Sequence, residues 1–321
     1  MKEKILSALK SSDDYISGEA LSRSLGITRS AVWKNIHQLR KEGYMINSIT
    51  NKGYKLQKDC NMIDIEKVMK DFQCDNIGKK LIFLKSIDST NNEIKRLAAK
   101  GEESGTVVAA EIQTSGRGRF GRQWESEKGG LYFSFLLRTD LPPGNIASIT
   151  LAAGYAVCLA IREYTGLDAR IKWPNDIIVE NRKICGILTE MAAQSDRIDY
   201  IITGIGININ NTDFPDEIKH KASSILIETN KNTDKSEFFR TVLIYLDKVL
   251  SSFLISISID DMANFKKLCV TIGREVSVKR GDTVLTGIAK DITPLGELVI
   301  ETENTREIKI SSGEVTVQGI Y

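Results

Sequence analysis

The pattern that most restricts this chain lies in its first 58 residues, where helical periods separated by tight turns give way to alternation. "KILSALK" reads as a short amphipathic helix. "SGEALSRSLG" starts at Ser17, a capping residue, and stops at Gly26. "TRSAVWKNIHQLRKEG" starts at Thr28 and carries Val32, Ile36 and Leu39 at helical spacing. The turn "LGIT" between these two helices is as short as helix-turn-helix geometry requires. "YMINSITNKGYKL" then reads as two strands around "NKG", which makes a wing. Outside the apolar stripe of the third helix stand Arg29, Ser30, Lys34, Asn35 and Gln38, side chains suited to phosphates and base edges in a major groove. Ser17, Gly18 and Glu19 at the second helix start, and Thr28 before the third, join them as candidate DNA contacts. Charge agrees: residues 1–60 hold eleven Lys/Arg against six Asp/Glu, and the remainder 33 against 36. A helical module that binds protein is the alternative; the wing, the charge and the polar outer face favour DNA.

At 321 residues the chain has room for two or three domains. A polar stretch between Lys58 and Phe72 reads as the linker into the second. There "GRGRFGRQW", residues 116–124, matches G-x-G-x-x-G at Gly116, Gly118 and Gly121. Its context excludes a dinucleotide turn. "VVAAEIQTS" before it and "LYFSFLLR" after it both read as strands, no helical period starts at Gly121, and arginines would crowd a backbone that must touch pyrophosphate. What remains is a flexible cationic loop. Arg117, Arg119 and Arg122 repel one another unless an anion joins them, so the loop reads as an anion grip, with a solvated Gly/Arg turn as the alternative.

Three further stretches carry chemistry. "DSTNNEIKRLAAKG" sets Asp88, Ser89, Thr90 and Asn91 at a strand end before a helix, where such residues either cap the helix or meet a polar ligand. "RIKWPNDIIVENRKICGILTEM", residues 170–191, reads as a hairpin that brings Lys183 near the strand of Asp176. A lysine on an apolar strand wants an anionic partner, unless it is simply a surface lysine at a hairpin end. "YIITGIGININ", residues 200–210, is a strand whose Gly204 and Gly206 leave room for a flat ligand.

Elimination narrows the chemistry. The five cysteines, Cys60, Cys74, Cys158, Cys185 and Cys269, form no C-x-x-C pair, which argues against disulfides and zinc. Cys185 sits in apolar "ICGIL" and reads as an inert buried thiol. The only histidines are His37 and His220, so a histidine triad has no supply in the central region. "IASITLAAGYAVCLAI", residues 146–161, is short for a membrane span and reads as a buried helix; with no signal-peptide pattern at the start, a cytoplasmic protein without membrane contact is expected. Fixed positive charge beside a glycine-rich sheet suits phosphoryl or adenylyl transfer by positioning and charge neutralisation.

"DSTN", "GRGRFGRQW", "KWPND", "RKICGIL" and "TGIGININ", in that order, resemble the bifunctional biotin protein ligase and biotin operon repressor family, and the resemblance covers all 321 residues. It implies an α+β multidomain chain: a winged helix-turn-helix at 1–60, a ligase domain at 61–269 with helices against a mixed sheet like class II aminoacyl-tRNA synthetases, and an SH3-like β barrel at 270–321. Short alternating strands in the tail favour the barrel independently. The resemblance also implies a two-step reaction. Biotin and ATP, with Mg²⁺, give biotinyl-5′-AMP, and a lysine of a biotin carboxyl carrier protein then takes the biotin. By the same resemblance Ser89, Thr90, Asn91, Gln113, Gly116, Arg117, Gly118, Arg119, Lys183, Gly204 and Gly206 bind biotin. Arg119, Arg122, Trp124, Lys172 and Asn175 border the adenylate, and Lys183, Arg117, Arg119 and Asp176 are the catalytic set, Asp176 orienting or deprotonating the incoming lysine. Operator DNA is the second expected partner. A single recognition helix reads few base pairs, so a ligand-promoted homodimer is expected, with segments 139–145 and 192–199 as contributors. The alternatives are a ligase with a passive head, a pure ligand-sensing repressor and a lipoate ligase.

Overall fold

The computed structural model describes residues 1–12, 14–41, 44, 46–56, 61–194, 197–255, 259–281 and 283–320. Lys58 and Cys60 of the expected linker, and residues 195–196 of the expected dimer segment, lie outside these. The chain divides into two compact units, residues 1–60 and 61–321.

The first unit has helices α1 (Lys2–Lys10), α2 (Gly18–Leu25) and α3 (Arg29–Lys41), then strands β1 (Ile46–Ile49) and β2 (Gly53–Leu56). Ser17 caps α2 by accepting the Ala20 amide at 3.0 Å, and Gly26 ends it in the left-handed region at φ 64°, where glycine carries no side-chain penalty. Ile5, Leu9, Leu21, Val32, Ile36, Leu39 and Ile46 form its core. The wing pairs Ile46 with Leu56 through Ile49 with Gly53, and Ile16 bridges Tyr54 to extend it.

The second unit opens with α4 (Ile65–Met69), β3 (Lys80–Ile87), α5 (Thr90–Ala99), β4 (Thr106–Gln113), β5 (Leu131–Leu137) and α6 (Ile146–Thr165). The stretch read as a linker is therefore not free chain. Asp64 caps α4, its amide donates to Ser236 at 2.9 Å, and Ile63 and Val68 enter the core. Next come β6 (Arg170–Lys172), β7 (Asp176–Val179), β8 (Arg182–Gln194), β9 (Arg197–Ile207), α7 (Asp216–Lys219), α8 (Ile225–Thr229), α9 (Lys235–Ile255) and α10 (Ile259–Leu268). The sheet order is β3-β4-β5-β9-β8-β7-β6; β3 and β4 are parallel and the other pairs antiparallel. Alternation sends Val107, Ala109, Phe133, Phe135, Ile201 and Ile205 into a core with α6 and α9. Their neighbours Val108, Leu136 and Ile202 meet Ile94 and Ala98 of α5 on the other face. α6 is long and apolar enough to cross a membrane by length and composition, yet twelve of its residues are buried in this core, as the apolar run suggested.

Strands β10 (Glu275–Arg280), β11 (Thr283–Ile292), β12 (Leu298–Glu301), β13 (Glu307–Ile310) and β14 (Glu314–Val317) make an antiparallel sheet ordered β13-β12-β11-β10-β14. Val276, Val278, Ile292, Leu298, Ile300 and Val317 join the same core as α6 and α9. Buried Trp173 fastens the two sheets together: its indole donates to Gly296 O, and its amide to Thr271 Oγ1, each at 3.0 Å.

Candidate functional site

α5 covers only part of its sheet face, and beyond its N-terminus the face opens into a cavity of about 660 Å³, within the range of small-molecule sites. Strand parity builds the floor. Ile205 and Ile207 of β9, like Cys185 and Ile187 of β8, point into the core, so Gly204, Gly206, Gly186 and Leu188 line the cavity. Lys183 has the parity of the core residues. It reaches the cavity because the β7–β8 register shifts between Ile177, opposite Cys185, and Ile178, opposite Lys183; the extra residue, Ile184, takes the core place.

One end of the cavity is mostly neutral. Ser89, Thr90 and Asn91 at the start of α5 are buried. The amide and hydroxyl of Thr90 donate to Gln113 Oε1 at 2.8 and 3.1 Å, and Gln113 Nε2 donates to Ser126 Oγ at 2.9 Å. Ser134 Oγ lies 2.7 Å from Thr90 Oγ1 and 2.6 Å from Asn91 Oδ1. Asn91 Nδ2 donates to Glu190 Oε2 at 2.7 Å, and Lys95 Nζ sits 2.8 Å from Glu190 Oε1. Burial raises the Glu190 carboxyl, but the bonds from Lys95 and Asn91 outweigh it and hold the group below the usual carboxylate value. Asp88 faces away and is paired with Arg96 at 2.7 Å.

The other end is cationic. Lys183 Nζ stands 2.5 Å from Asp176 Oδ1 and 5.1 Å from the centre of the Trp124 ring. Lys172, only 6% exposed, has its pKa pulled down to about 8, chiefly by burial. The loop between β4 and β5 closes this end as a small hairpin: Arg117 bridges Gln123, Gly118 N donates to Arg122 O at 2.7 Å, and Trp124 N donates to Gly116 O at 3.0 Å.

Two expectations need correction. Repulsion among the loop arginines is already answered within the protein. Arg117 lies 3.9 Å from Glu190, Arg119 donates to Asn175 Oδ1 at 3.0 Å and to Gly313 O at 3.2 Å, and Arg122 pairs with Glu314. Burial also lowers the Arg119 pKa. The room above the strand glycines is likewise taken by protein. A Cβ on Gly204 would stand 2.1 Å from Asn91 Oδ1, and one on Gly206 would stand 2.4 Å from Trp124 Nε1. These glycines seat the Asn91 amide and the Trp124 indole. The Trp124 Nε1 hydrogen is buried with no partner among the described residues.

Of the residues singled out for biotin or adenylate, Gly116 alone does not line the cavity; a Cβ there would meet Trp124 O and Ser126 Oγ at 2.4 Å, so its smallness serves packing of the hairpin. Glu190, Ser134, Ser126 and Gly186 escaped the sequence reading, although the parity of β8 that exposes Gly186 and Leu188 also carries Glu190. His220 and Lys221, and Gly313 and Glu314 at the start of β14, also line the cavity; no local pattern pointed to them, and His220 corrects the expectation that the central region has no histidine to supply. Cys185 is buried, which pushes its thiol up and leaves it inert; the described cysteines are all free. No group of three His, Cys, Asp or Glu that could hold a metal occurs among the described residues.

In the first unit, Thr28, Arg29, Ser30, Lys34 and Gln38 are exposed along α3, with Asn35 half-buried and bonded to Ala31 O at 2.8 Å. Glu19 pairs with both Arg29 and Arg23. Ser17 and Thr28 cap α2 and α3, Thr28 accepting the Ala31 amide at 3.2 Å.

Comparison with known proteins meets this geometry. Residues 83–208 match the biotin/lipoate A/B protein ligase family, residues 2–55 an HTH domain, and residues 271–317 the biotin protein ligase C-terminal domain. The chain is 35% identical over 306 residues to the bifunctional ligase/repressor BirA of Bacillus subtilis, covering 94% of each chain. It is 30% identical over 300 residues to the bifunctional ligase/repressor BirA of Escherichia coli, covering 93% of this chain and 92% of that one. The biotin protein ligase of Aquifex aeolicus in complex with biotin and ATP matches with a TM-score of 0.65 at 34% identity, over 75% of this chain and 99% of that one. With an HTH domain at residues 2–55 and the ligase domains at 83–208 and 271–317, the chain belongs to the family of bifunctional biotin protein ligases and repressors.

Proposed function

We propose that the cavity joins the carboxylate of biotin to the α-phosphate of ATP, releasing pyrophosphate, and then passes biotin from the adenylate to a lysine of a biotin carboxyl carrier protein, releasing AMP. The observation that carries this reading is the cavity's polarity. Its neutral end, built by Ser89, Thr90, Asn91 and Gln113, suits the uncharged ureido ring. Its cationic end, with Arg119, Arg122, Lys172 and Lys183, suits a carboxylate meeting a polyphosphate, an encounter of like charges that fixed cations make possible, and Arg117 stands by Glu190 on the Asn91 side. Trp124 and Asn175 border the adenylate; Gly118, Gly204 and Gly206 let the backbone and the seated side chains come close to biotin.

Asp176 acts by holding Lys183. Its carboxylate is already engaged there, so the incoming amine sheds its proton to solvent or phosphate, and substrate anions share Lys183 with Asp176. No group of three His, Cys, Asp or Glu that could hold a metal occurs among the described residues, and Mg²⁺ enters as part of the nucleotide substrate.

The head binds operator DNA with Arg29, Ser30, Lys34, Asn35 and Gln38 facing the groove, Ser17, Gly18 and Thr28 at the backbone, Glu19 holding Arg29, and biotinyl-5′-AMP as corepressor. Adenylate that accumulates when carrier is exhausted orders the loops over the cavity and promotes a homodimer. Such a protein works in the cytoplasm, where ATP, carrier and operator meet. Incubation with biotin, MgATP and a carrier domain, followed by intact mass measurement, tests the ligase reading. One biotin added per carrier is the expected result; an unmodified carrier, or equal addition of lipoate in a parallel incubation, overturns it.

A further inference from the structure

The DNA-binding reading leaves one conspicuous side chain unused. Trp33 on α3 is 57% exposed, outside the core of the first unit. A lone exposed apolar residue needs no explanation, but the place of this one does. At 3.6 residues per turn, Arg29, Trp33 and His37 follow one line along α3, with Ser30 and Lys34 beside it; all five are exposed. The buried Val32, Ile36 and Leu39 occupy the neighbouring side of the helix. The indole thus stands between Arg29 and His37, with Lys34 beside it, on the exposed side that follows the short inter-helix turn. Its ring packs tilted against His37, with centroids 5.5 Å apart and planes 31° apart. Glu19 in turn holds Arg29 at the row's start.

An aromatic plane held beside Arg29 and Lys34, on a unit with eleven Lys/Arg against six Asp/Glu, fits a partner that is anionic at its rim and apolar at one point. A protein partner with an apolar knob would not call for the surrounding positive charge. DNA supplies both, because the thymine C5-methyl is the apolar group on the base-pair edges that the major groove presents. We propose that Trp33, backed by His37, reads thymine in the operator by packing its indole on the methyl of one T·A pair or of two adjacent ones. This rests on the DNA-binding reading of the head and names what that surface selects.

The test uses the full chain with biotin and MgATP. Duplexes are selected from a random pool, and each thymine of the recovered site is then replaced in turn by deoxyuridine, which removes only the methyl. Wild-type affinity is expected to fall about fourfold per methyl at one or two positions, the worth of one buried carbon. Trp33→Ala should bind thymine and uracil equally at those positions while keeping the wild-type response elsewhere, and Trp33→Phe should keep part of the preference. Thermal unfolding of the head checks that the variants fold. A wild-type protein indifferent to every replacement overturns the proposal without any variant, as does Trp33→Ala retaining the preference. If no duplex is enriched at all, the DNA-binding reading fails first, and the proposal with it.

Discussion

Lys183 and Asp176 are partners at 2.5 Å, so removing the lysine does two things: it takes a cation from the reacting end and leaves Asp176 to repel the incoming anions. Lys183→Ala is expected to cost adenylation about 2–4 kcal/mol, and pyrophosphate release at the wild-type rate would refute the role. Lys172 gives a prediction in pH. Burial holds it at about 8 against an ordinary 10.5, so below pH 8 it is charged in folded and unfolded chains alike. Between about 8 and 10.5 the unfolded chain binds the proton that the folded one has released, and its contribution to stability rises with pH. Nucleotide phosphates favour the charged form. ATP binding near pH 8 should therefore draw in about half a proton, fading towards pH 6 and absent in Lys172→Met. Calorimetry in two buffers of different ionisation enthalpy measures it, and buffer-independent heats at pH 8 would contradict it. Identity and charge made these residues legible in the sequence. Their partners were not, because Glu314 and Gly313 answer Arg122 and Arg119 from almost two hundred positions away.

Among elements, the strands explain both the success and the failures of sequence reasoning. Alternation located the floor of the cavity, but the bulge that turns Lys183 inward depends on pairing with β7, which no single-strand pattern encodes. Gly204 and Gly206 were recognisable as openings, whereas what fills them comes from α5 and from the loop after β4. Gly206→Ala should push Trp124 off the sheet. In a protein lacking Trp33, we expect the Trp124 share of the emission, taken as the difference from a Trp124→Phe control that keeps the buried Trp173, to lose its buried character, and retention of biotinyl-AMP to weaken; an unchanged difference would mean that the indole is not seated there. The hairpin loop itself is latched by Arg119 to Asn175 and Gly313. Arg119→Gly should preserve the fold but release adenylate early, so that bystander lysines are acylated. Labelling confined to the carrier, with wild-type retention of adenylate, would show that the loop is no lid.

At the scale of the whole molecule, the head's three helices and wing could be drawn from the first 58 residues because every turn there is local. The sharing of one core by the ligase sheet and the C-terminal strands could not, since it is made by contacts such as Trp173 with Gly296. If adenylate is the corepressor, operator affinity measured by sedimentation should rise from the empty protein to biotin alone to biotin with MgATP. Identical affinity in all three would leave a ligase with a passive head. The separate cores of the two units also predict two calorimetric transitions, with biotin and MgATP raising only the one that belongs to residues 61–321. That partition bears on heredity. A recombination joint near residue 60 falls between the two compact units, so it can exchange one head for another without cutting the core of residues 61–321. A nonsense codon ahead of Leu298 strips side chains from the core that the catalytic sheet itself stands on, so the lesion is a loss of the enzyme. Regulatory variety in such a lineage can accumulate at the front of the gene, while its far end is held to the pace of the active site.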